Sequence, residues 1–445
     1  MREKDQQPSF VEWFRHSTPY IRAFRGNTFV ITFGGEMLTD AQFPNLVHDL
    51  VLLNSLGIRL VLVHGARTQI NKLIKERAIT TEYVDGIRIT NDAALECVKH
   101  AAGSVRVEVE ALLSMGISDM PLHKLPTRVV SGNFVTAQPL GIRDGIDFCH
   151  TGEIRRIDTQ SIRKQLEAEN IVLLSPMGYS PTGEVFNLTA ETIATEVARE
   201  LAADKLIFMA DESLTPGKAT AKQNNILHEL TQDDAETLLA TKKKLKNSTR
   251  LLLTHALKAS ISGVNRVHII DRHIDGGLLL ELFTRDGVGS MLTANSYENI
   301  RQANIEDIGG ILDLIRPLEE QGQLVRRSRE VLETEIQHFT VIDRDGLIIA
   351  CSAFYPYLKE QIAELACLAV HADYLKEGRG NKLFDYLLKQ TRQLGIKRMF
   401  VLTTRTAHWF RERGFKAATL DALPVKKRSL YNYQRQSKVY IKELT

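Results

Sequence analysis

The sequence predicts an α/β protein in two parts: a parallel open sheet with helices on both faces, then a smaller α+β unit. Three observations carry that expectation. Near-continuous apolar, β-rich runs recur up to residue 271, and each stops at a polar or glycine-containing loop. Helical patterns separate the runs. Beyond Ser290 the chain turns small and polar, and its strands and helices then follow in a different order. Apolar strands of this kind need cover on both faces, which alternation with helices supplies.

Taken in order, residues 10–24 read as an amphipathic helix, and 28–33 as a strand ending at Gly34-Gly35. The strand pattern returns at 58–63 before His64-Gly65-Ala66-Arg67, at 171–174 before Ser175-Pro176-Met177-Gly178, at 205–211 and at 266–271. Helices are expected over 190–203 and 251–261. In such sheets ligands sit at the carboxyl ends of the strands, where these loops fall. The first domain is placed at 10–292, a linker at 293–299 and a second domain at 300–445. In the second domain a helix (307–319) and a polar segment (320–328) precede two strands, 339–343 and 347–355, joined by Asp343-Arg344-Asp345-Gly346, an Asp-Gly hairpin signal. A strand at 362–371, a glycine loop, a helix at 382–393, a strand at 398–403, a short helix to Arg413 and a β-rich end at 437–444 complete it.

Composition narrows the function. At 445 residues the chain exceeds one ordinary core, and 43% hydrophobic with 25% charged residues is the balance of a folded protein. Lys+Arg 57 against Asp+Glu 54 leaves a net charge of +3, so neither nucleic acid nor an anionic membrane is an expected partner. The four cysteines, Cys97, Cys149, Cys351 and Cys367, make no C-x-x-C pair, so no metal is expected and a cytoplasmic location fits. The start of the chain lacks the apolar core of a secretory signal, and no run reaches the ~18 apolar residues that a membrane span needs.

The strongest chemical signal follows the 362–371 strand. Leu375-Lys376-Glu377-Gly378-Arg379-Gly380-Asn381 opens a helix, and a strand, a glycine turn and a helix start gather backbone N–H groups around a phosphate. By itself this also fits a plain turn. With Ile300–Asp307 upstream and Ala407–Phe415 downstream, the order from 300 to 445 resembles the GCN5-related N-acetyltransferase family. The resemblance implies that Gly378, Gly380 and Asn381, with Lys376 or Arg379 for charge, hold the pyrophosphate of acetyl-CoA. It implies that the main chain of Cys367, Leu368, Ala369 and Val370 lines the pantetheine arm and the thioester oxygen. The family's Gln/Arg loop position is Leu375, and Phe410 stands where many members place a tyrosine acid.

A basic segment from Pro424 to Lys438 carries five positive and no negative side chains, and Arg326-Arg327 offers a second cation pair. A solvated tail is one reading. The other is a site for a dicarboxylic amino acid, since arginine binds carboxylates bidentately. The run from Pro19 to Gly35, Asn187-Leu188-Thr189-Ala190-Glu191 and Val264–Ile270 resemble motifs of the amino-acid kinase fold of acetylglutamate kinases. Thr32 and Leu252 stand where that family has lysines for phosphoryl transfer, which argues against kinase activity. A kinase-like domain fused to an acetyltransferase resembles the bacterial N-acetylglutamate synthase family. That likeness implies acetyl-CoA and L-glutamate as substrates, L-arginine as feedback inhibitor and a homo-oligomer, most often a hexamer.

Under that resemblance Glu364 is the general base, direct or through water, and Arg327 and Arg435 clamp glutamate beside Cys367. In regular strand geometry Glu364 and Cys367 fall on opposite faces. Thr403 is favoured as the acid for the departing thiolate, with Thr404 and Tyr433 as alternatives. Direct transfer needs no acyl-enzyme, so Cys367 is read as lining and not as nucleophile. Leu278–Ser290 resembles the arginine-sensing segment of inhibited relatives. Glu281 would pair with the guanidinium, Gly287, Gly289 and Ser290 would present N–H groups to the α-carboxylate, and His16 and Tyr20 would close over the ligand. A bifunctional synthase/kinase and a non-catalytic arginine-binding regulator are the competing readings.

Overall fold

The computed structural model describes residues 10–115, 127–214, 227–240, 245–284, 287–293, 298–344, 347–375, 378–429, 431 and 436–444. The chain divides into two compact units, residues 1–295 and 296–445. Thr293 ends one strand of the first unit and Glu298 begins one of the second, so the expected linker 293–299 holds the ends of two strands. Among the described residues no helix is long and apolar enough to cross a membrane.

The first unit is built on an eight-stranded sheet. Its strands run in the order Glu229–Thr231, Ser290–Thr293, Arg266–Asp271, Lys205–Ala210, Thr28–Phe33, Arg59–His64, Ile171–Leu174 and Val129–Ser131. The last six are parallel, and five of them are the predicted apolar runs; Val129–Ser131 is the addition. The other two depart from a purely parallel sheet, since Ser290–Thr293 runs antiparallel to Arg266–Asp271. The connection explains this: the short helix Gly277–Phe283 stays at one end of the sheet, whereas a parallel return needs a full crossover.

Both faces are buried with a period of two. Phe29, Ile31, Phe33, Leu60, Leu62 and Ile207 pack against the helices Phe43–Ser55 and Asp92–Ser114, while Val30, Val61, Val63, Leu206 and Phe208 pack against Ala190–Leu201 and Asn247–Ile261. Thr189 caps Ala190–Leu201 by accepting the Thr192 N–H, which explains the Asn-Leu-Thr motif locally. A four-stranded sheet of short segments between 135 and 187 escaped the sequence reading because it lacks long apolar runs.

The second unit holds a seven-stranded sheet ordered Glu298–Gln302, Phe339–Arg344, Leu347–Tyr357, Ile362–Val370, Arg398–Thr403, Lys438–Glu443 and Lys416–Ala418. All neighbours are antiparallel except Ile362–Val370 and Arg398–Thr403. Those two central strands pair only from Ile362↔Arg398 to Glu364↔Phe400 and then part. The helix Ile308–Glu320 packs on one face and Arg379–Gln393 on the other.

Candidate functional site

The parted strands open a fork whose apex is Glu364. On the Leu347–Tyr357 side the register shifts, with Cys351 facing Ala369 but Ala353 facing Ala366, so one extra residue bulges from the central strand. Cys367 sits in that bulge with φ +49°. The bulge reverses the alternation. Ala363 and Leu365 pack towards Arg379–Gln393, whereas Cys367 joins Ala366 and Ala369 on the face of Ile308–Glu320. Cys367 therefore shares Glu364's side of the strand, and the opposite-face expectation from regular geometry is corrected.

Three charged groups converge at this apex. Glu364 is only 3% exposed, and its Oε2 lies 2.8 Å from Lys427 Nζ. Burial pushes its carboxyl above the usual range, against the opposing pull of Lys427 and Arg327. Arg327 stands beside both Glu364 and Cys367. Burial weighs against its charge, but Cys367, Tyr355 and Glu335 hold it protonated. It donates to Tyr355, whose hydroxyl donates to Glu335 Oε2 at 2.6 Å, and its guanidinium lies 6.0 Å from the Phe339 ring centroid. Lys427 lies within the basic segment but was not singled out there. Arg435 and the alternative acid Tyr433 lie outside the described residues.

Thr403 ends the neighbouring strand and is buried. Its oxygen accepts the N–H groups of Arg405 (3.3 Å) and Thr406 (3.0 Å) and lies 2.9 Å from Thr406 Oγ1. Two backbone donors fill its oxygen, so when Thr406 is the donor of the hydroxyl pair the hydrogen of Thr403 is left to give.

The glycine loop leads into Arg379–Gln393, with Gly378 at the N-cap in the left-handed region at φ +78°, where glycine carries no steric penalty. A Cβ on Gly380 would meet Trp409 at 3.4 Å. The side chain of Arg379 turns to Glu298. It is buried, donates from Nε to Glu298 Oε1 at 2.6 Å and lies 4.5 Å from the Tyr374 ring centroid. This ion pair ties the loop to the first strand of the unit, and the charge expected of Arg379 for pyrophosphate faces Glu298 here. Glu298 was missed because it falls in a stretch that reads as linker. Asn381 Oδ1 accepts from Arg413 Nε at 2.8 Å, and Arg413 lies 3.6 Å over the Trp409 ring. Leu368 and Val370 pack on the same side as this helix. Lys376 lies outside the described residues.

A second polar cluster lies in the first unit. Glu281, on Gly277–Phe283, is buried and accepts from the N–H groups of Val288 (2.8 Å) and Gly289 (2.7 Å) and from His268 Nδ1 (2.7 Å). Burial opposes its charge, but His268 and the two amides lower its pKa to about 2. Desolvation and Lys205 lower that of His268 to about 4, so the ring is neutral. The network then fixes the tautomer: Nδ1–H donates to Glu281, and Nε2 accepts from Lys205 Nζ at 3.2 Å. Sequence reasoning gave no role to Lys205 or His268. The signal was a cation and an imidazole inside otherwise apolar strands.

Glu281 and the 287–290 turn meet, and the turn's amides at Val288 and Gly289 are engaged by Glu281 itself. A Cβ on Gly287 would fall 2.4 Å from its carboxylate. Ser290 Oγ is buried with no hydrogen-bond partner among the described residues. Tyr20 packs beside Phe24, Phe24 against Phe283, and Ser17 Oγ donates to the Phe283 carbonyl, so the helix Phe10–Phe24 lies against Gly277–Phe283. The side chain of His16 lies outside the described ones.

Comparison with known proteins agrees with this layout. Residues 27–271 match the amino acid kinase family and residues 335–417 the acetyltransferase (GNAT) domain. An amino-acid acetyltransferase from Azotobacter vinelandii is 52% identical over 98% of this chain and 99% of its own, and one from Edwardsiella ictaluri is 51% identical over 99% and 100%. Among solved structures, N-acetylglutamate synthase from Neisseria gonorrhoeae complexed with coenzyme A and L-arginine is 37% identical. It aligns with a TM-score of 0.89 over 98% of this chain and 100% of that one. The same enzyme complexed with coenzyme A and N-acetyl-glutamate is 38% identical, with a TM-score of 0.61.

Proposed function

Because the chain belongs to the amino-acid acetyltransferase family, the N-acetylglutamate synthases, we propose that it transfers the acetyl group of acetyl-CoA to L-glutamate, giving N-acetyl-L-glutamate and coenzyme A, as the first step of arginine biosynthesis. The observation that carries the reading is the fork at Glu364. Two strands part where a buried carboxylate, an arginine and a lysine meet.

Glutamate arrives as an ammonium and must lose a proton before it can attack a thioester. Glu364, with its proton affinity raised by burial, takes that proton directly or through a water. Arg327 and Arg435 hold the two carboxylates beside Cys367, which sets the amine at the fork. The main chain of Leu368, Ala369 and Val370, released from pairing with Arg398–Thr403, supplies N–H groups to the oxygen that gains charge. Gly378, Gly380 and Asn381 cradle the pyrophosphate at the helix N-terminus. The nitrogen sheds a proton as the amide forms, and Thr403 relays one to the departing thiolate, giving up its hydrogen as it takes another, so that it ends as a hydroxyl again. The test is thiol release from acetyl-CoA with a panel of amino acids. Glutamate should be the preferred acceptor, and release that is the same without any acceptor overturns the reading.

The first unit is the seat of inhibition by L-arginine in this reading. Two observations support it: the Glu281 cluster lies beside helix Phe10–Phe24, and the gonococcal relative was crystallised with L-arginine. Arginine's guanidinium pairs with Glu281, and its carboxylate takes over the Val288 and Gly289 amides, so Glu281 must first release them. The enzyme works in the cytoplasm as a homo-oligomer, a hexamer by family likeness. Light scattering of the purified chain checks this, and a monomer mass would refute it.

A further inference from the structure

Lys427 is not among the residues that the acetyltransferase resemblance assigns to the reaction, yet it makes the closest charged contact to the proposed base. It lies on the short helix Val425–Ser429, with its side chain 26% exposed while that of Glu364 is 4% exposed. One end of the pair thus reaches solvent and the other sits at the buried apex of the fork. A carboxylate taken this far out of water, without an adequate partner, would hold its proton at neutral pH and could not serve as a base.

The groups that face Glu364 come from four elements. Lys427 stands at 2.8 Å, Arg327 precedes the helix Arg329–Glu335, Glu335 lies on that helix, and the strand Leu347–Tyr357 brings Tyr355, in register with Glu364 and held neutral by burial, and Tyr357 at its end. The other neighbouring strand, Arg398–Thr403, contributes Phe400, in register with Glu364 and apolar. Glu335 has the wrong sign, and Tyr357, raised to about 12 first by burial, is neutral. Arg327 shares its charge with Tyr355 and Glu335. Among the described residues, Lys427 is left as the cation dedicated to the carboxylate. Its compact ammonium meets one oxygen, Oε2, which fixes the carboxylate's rotation as well as its charge.

We propose that Lys427 is the positioning counter-ion of Glu364, holding it ionised and aimed so that it can accept the acceptor's proton. The inference rests on Glu364 being the base and adds what makes a buried base usable. The sign follows from the contact: removing Lys427 leaves burial unopposed, so Glu364 binds its proton more tightly.

The experiment is the pH profile of kcat/KM for glutamate in the full chain for Lys427→Met and Lys427→Arg, with the KM for acetyl-CoA and the thermal midpoint measured alongside. In Lys427→Met the acid limb should move to higher pH by about one to three units. Activity should then recover at alkaline pH, with the acetyl-CoA KM unchanged. Lys427→Arg should keep the parent limb. A uniform loss at every pH with an unmoved limb would show a merely structural lysine, and a parent-like profile would show no role at all. Should Lys427→Met fail to fold, Lys427→Gln carries the same readout. Glu364→Gln separates the two levels. If it keeps the parent's acid limb, the base assignment is wrong. If it abolishes the limb while Lys427→Met leaves it in place, only the counter-ion inference fails.

Discussion

Two buried glutamates in this chain hold charge in opposite ways, and the difference sorts their roles. Glu281 receives two backbone N–H groups and an imidazole N–H, which together overcome burial and bring its pKa to about 2. It is charged at any working pH, which suits pairing with a guanidinium and rules out proton exchange. Glu364 has one lysine at hydrogen-bond distance, and burial still wins, so its carboxyl stays above the ordinary range. That suits taking a proton. Glu364→Gln keeps the shape and removes the base, so kcat should fall by about 10²–10⁴ with the KM for acetyl-CoA little changed. A kcat within a few-fold of the parent would sink the assignment. The Glu281 cluster has its own pH signature. His268 and Glu281 both have folded-state pKa values below their unfolded ones, so each contributes stability above its unfolded value and loses it as pH falls. The windows run from 6.5 to about 4 for His268 and from 4.5 to about 2 for Glu281. His268→Gln should therefore show a shallower decline of the first unit's thermal midpoint between pH 7 and pH 4 than the parent, and equal slopes would contradict the buried neutral ring.

At the scale of elements, what could be read from the sequence was whatever is periodic and apolar. The five predicted runs are five of the six parallel strands of the first sheet, and 398–403 was placed to the residue. What stayed hidden depends on single residues in unusual settings. Nothing in the sequence around Cys367 marks a left-handed bulge, because glycine or asparagine would be the usual signal there. Glu298 reads as part of a polar linker until its strand pairs with Phe339–Arg344 and its carboxylate meets Arg379. The bulge is testable as an element. Cys367→Gly should keep or raise the thermal midpoint, since glycine takes φ +49° without strain. Cys367→Val should lose about 1–3 kcal/mol and lower kcat, because a β-branched residue resists that conformation. Equal stability of the two variants would mean that the bulge relaxes at no cost.

Over the whole molecule, the kinase-like unit carries Thr32 and Leu252 at the positions where its resemblance to acetylglutamate kinases calls for lysines; Thr32 is buried in a central strand and Leu252 packs on the core. Neither can neutralise a migrating phosphoryl group. The acetyltransferase (GNAT) match lies within residues 296–445, and the first unit keeps a preformed, charged cluster around Glu281. Division of labour between the units makes a prediction that neither unit makes alone. A ligand that binds only the folded state raises the thermal midpoint in proportion to its occupancy. L-Arginine should therefore raise the midpoint of the full chain and also inhibit acetyl transfer. Glu281→Ala should turn over glutamate at the parent rate and lose both the thermal shift and the inhibition. Glu364→Gln should lose turnover and keep the thermal shift. If Glu281→Ala is still stabilised and inhibited like the parent, arginine binds elsewhere. If Glu364→Gln loses the shift, effector binding and catalysis are not carried by separate sites.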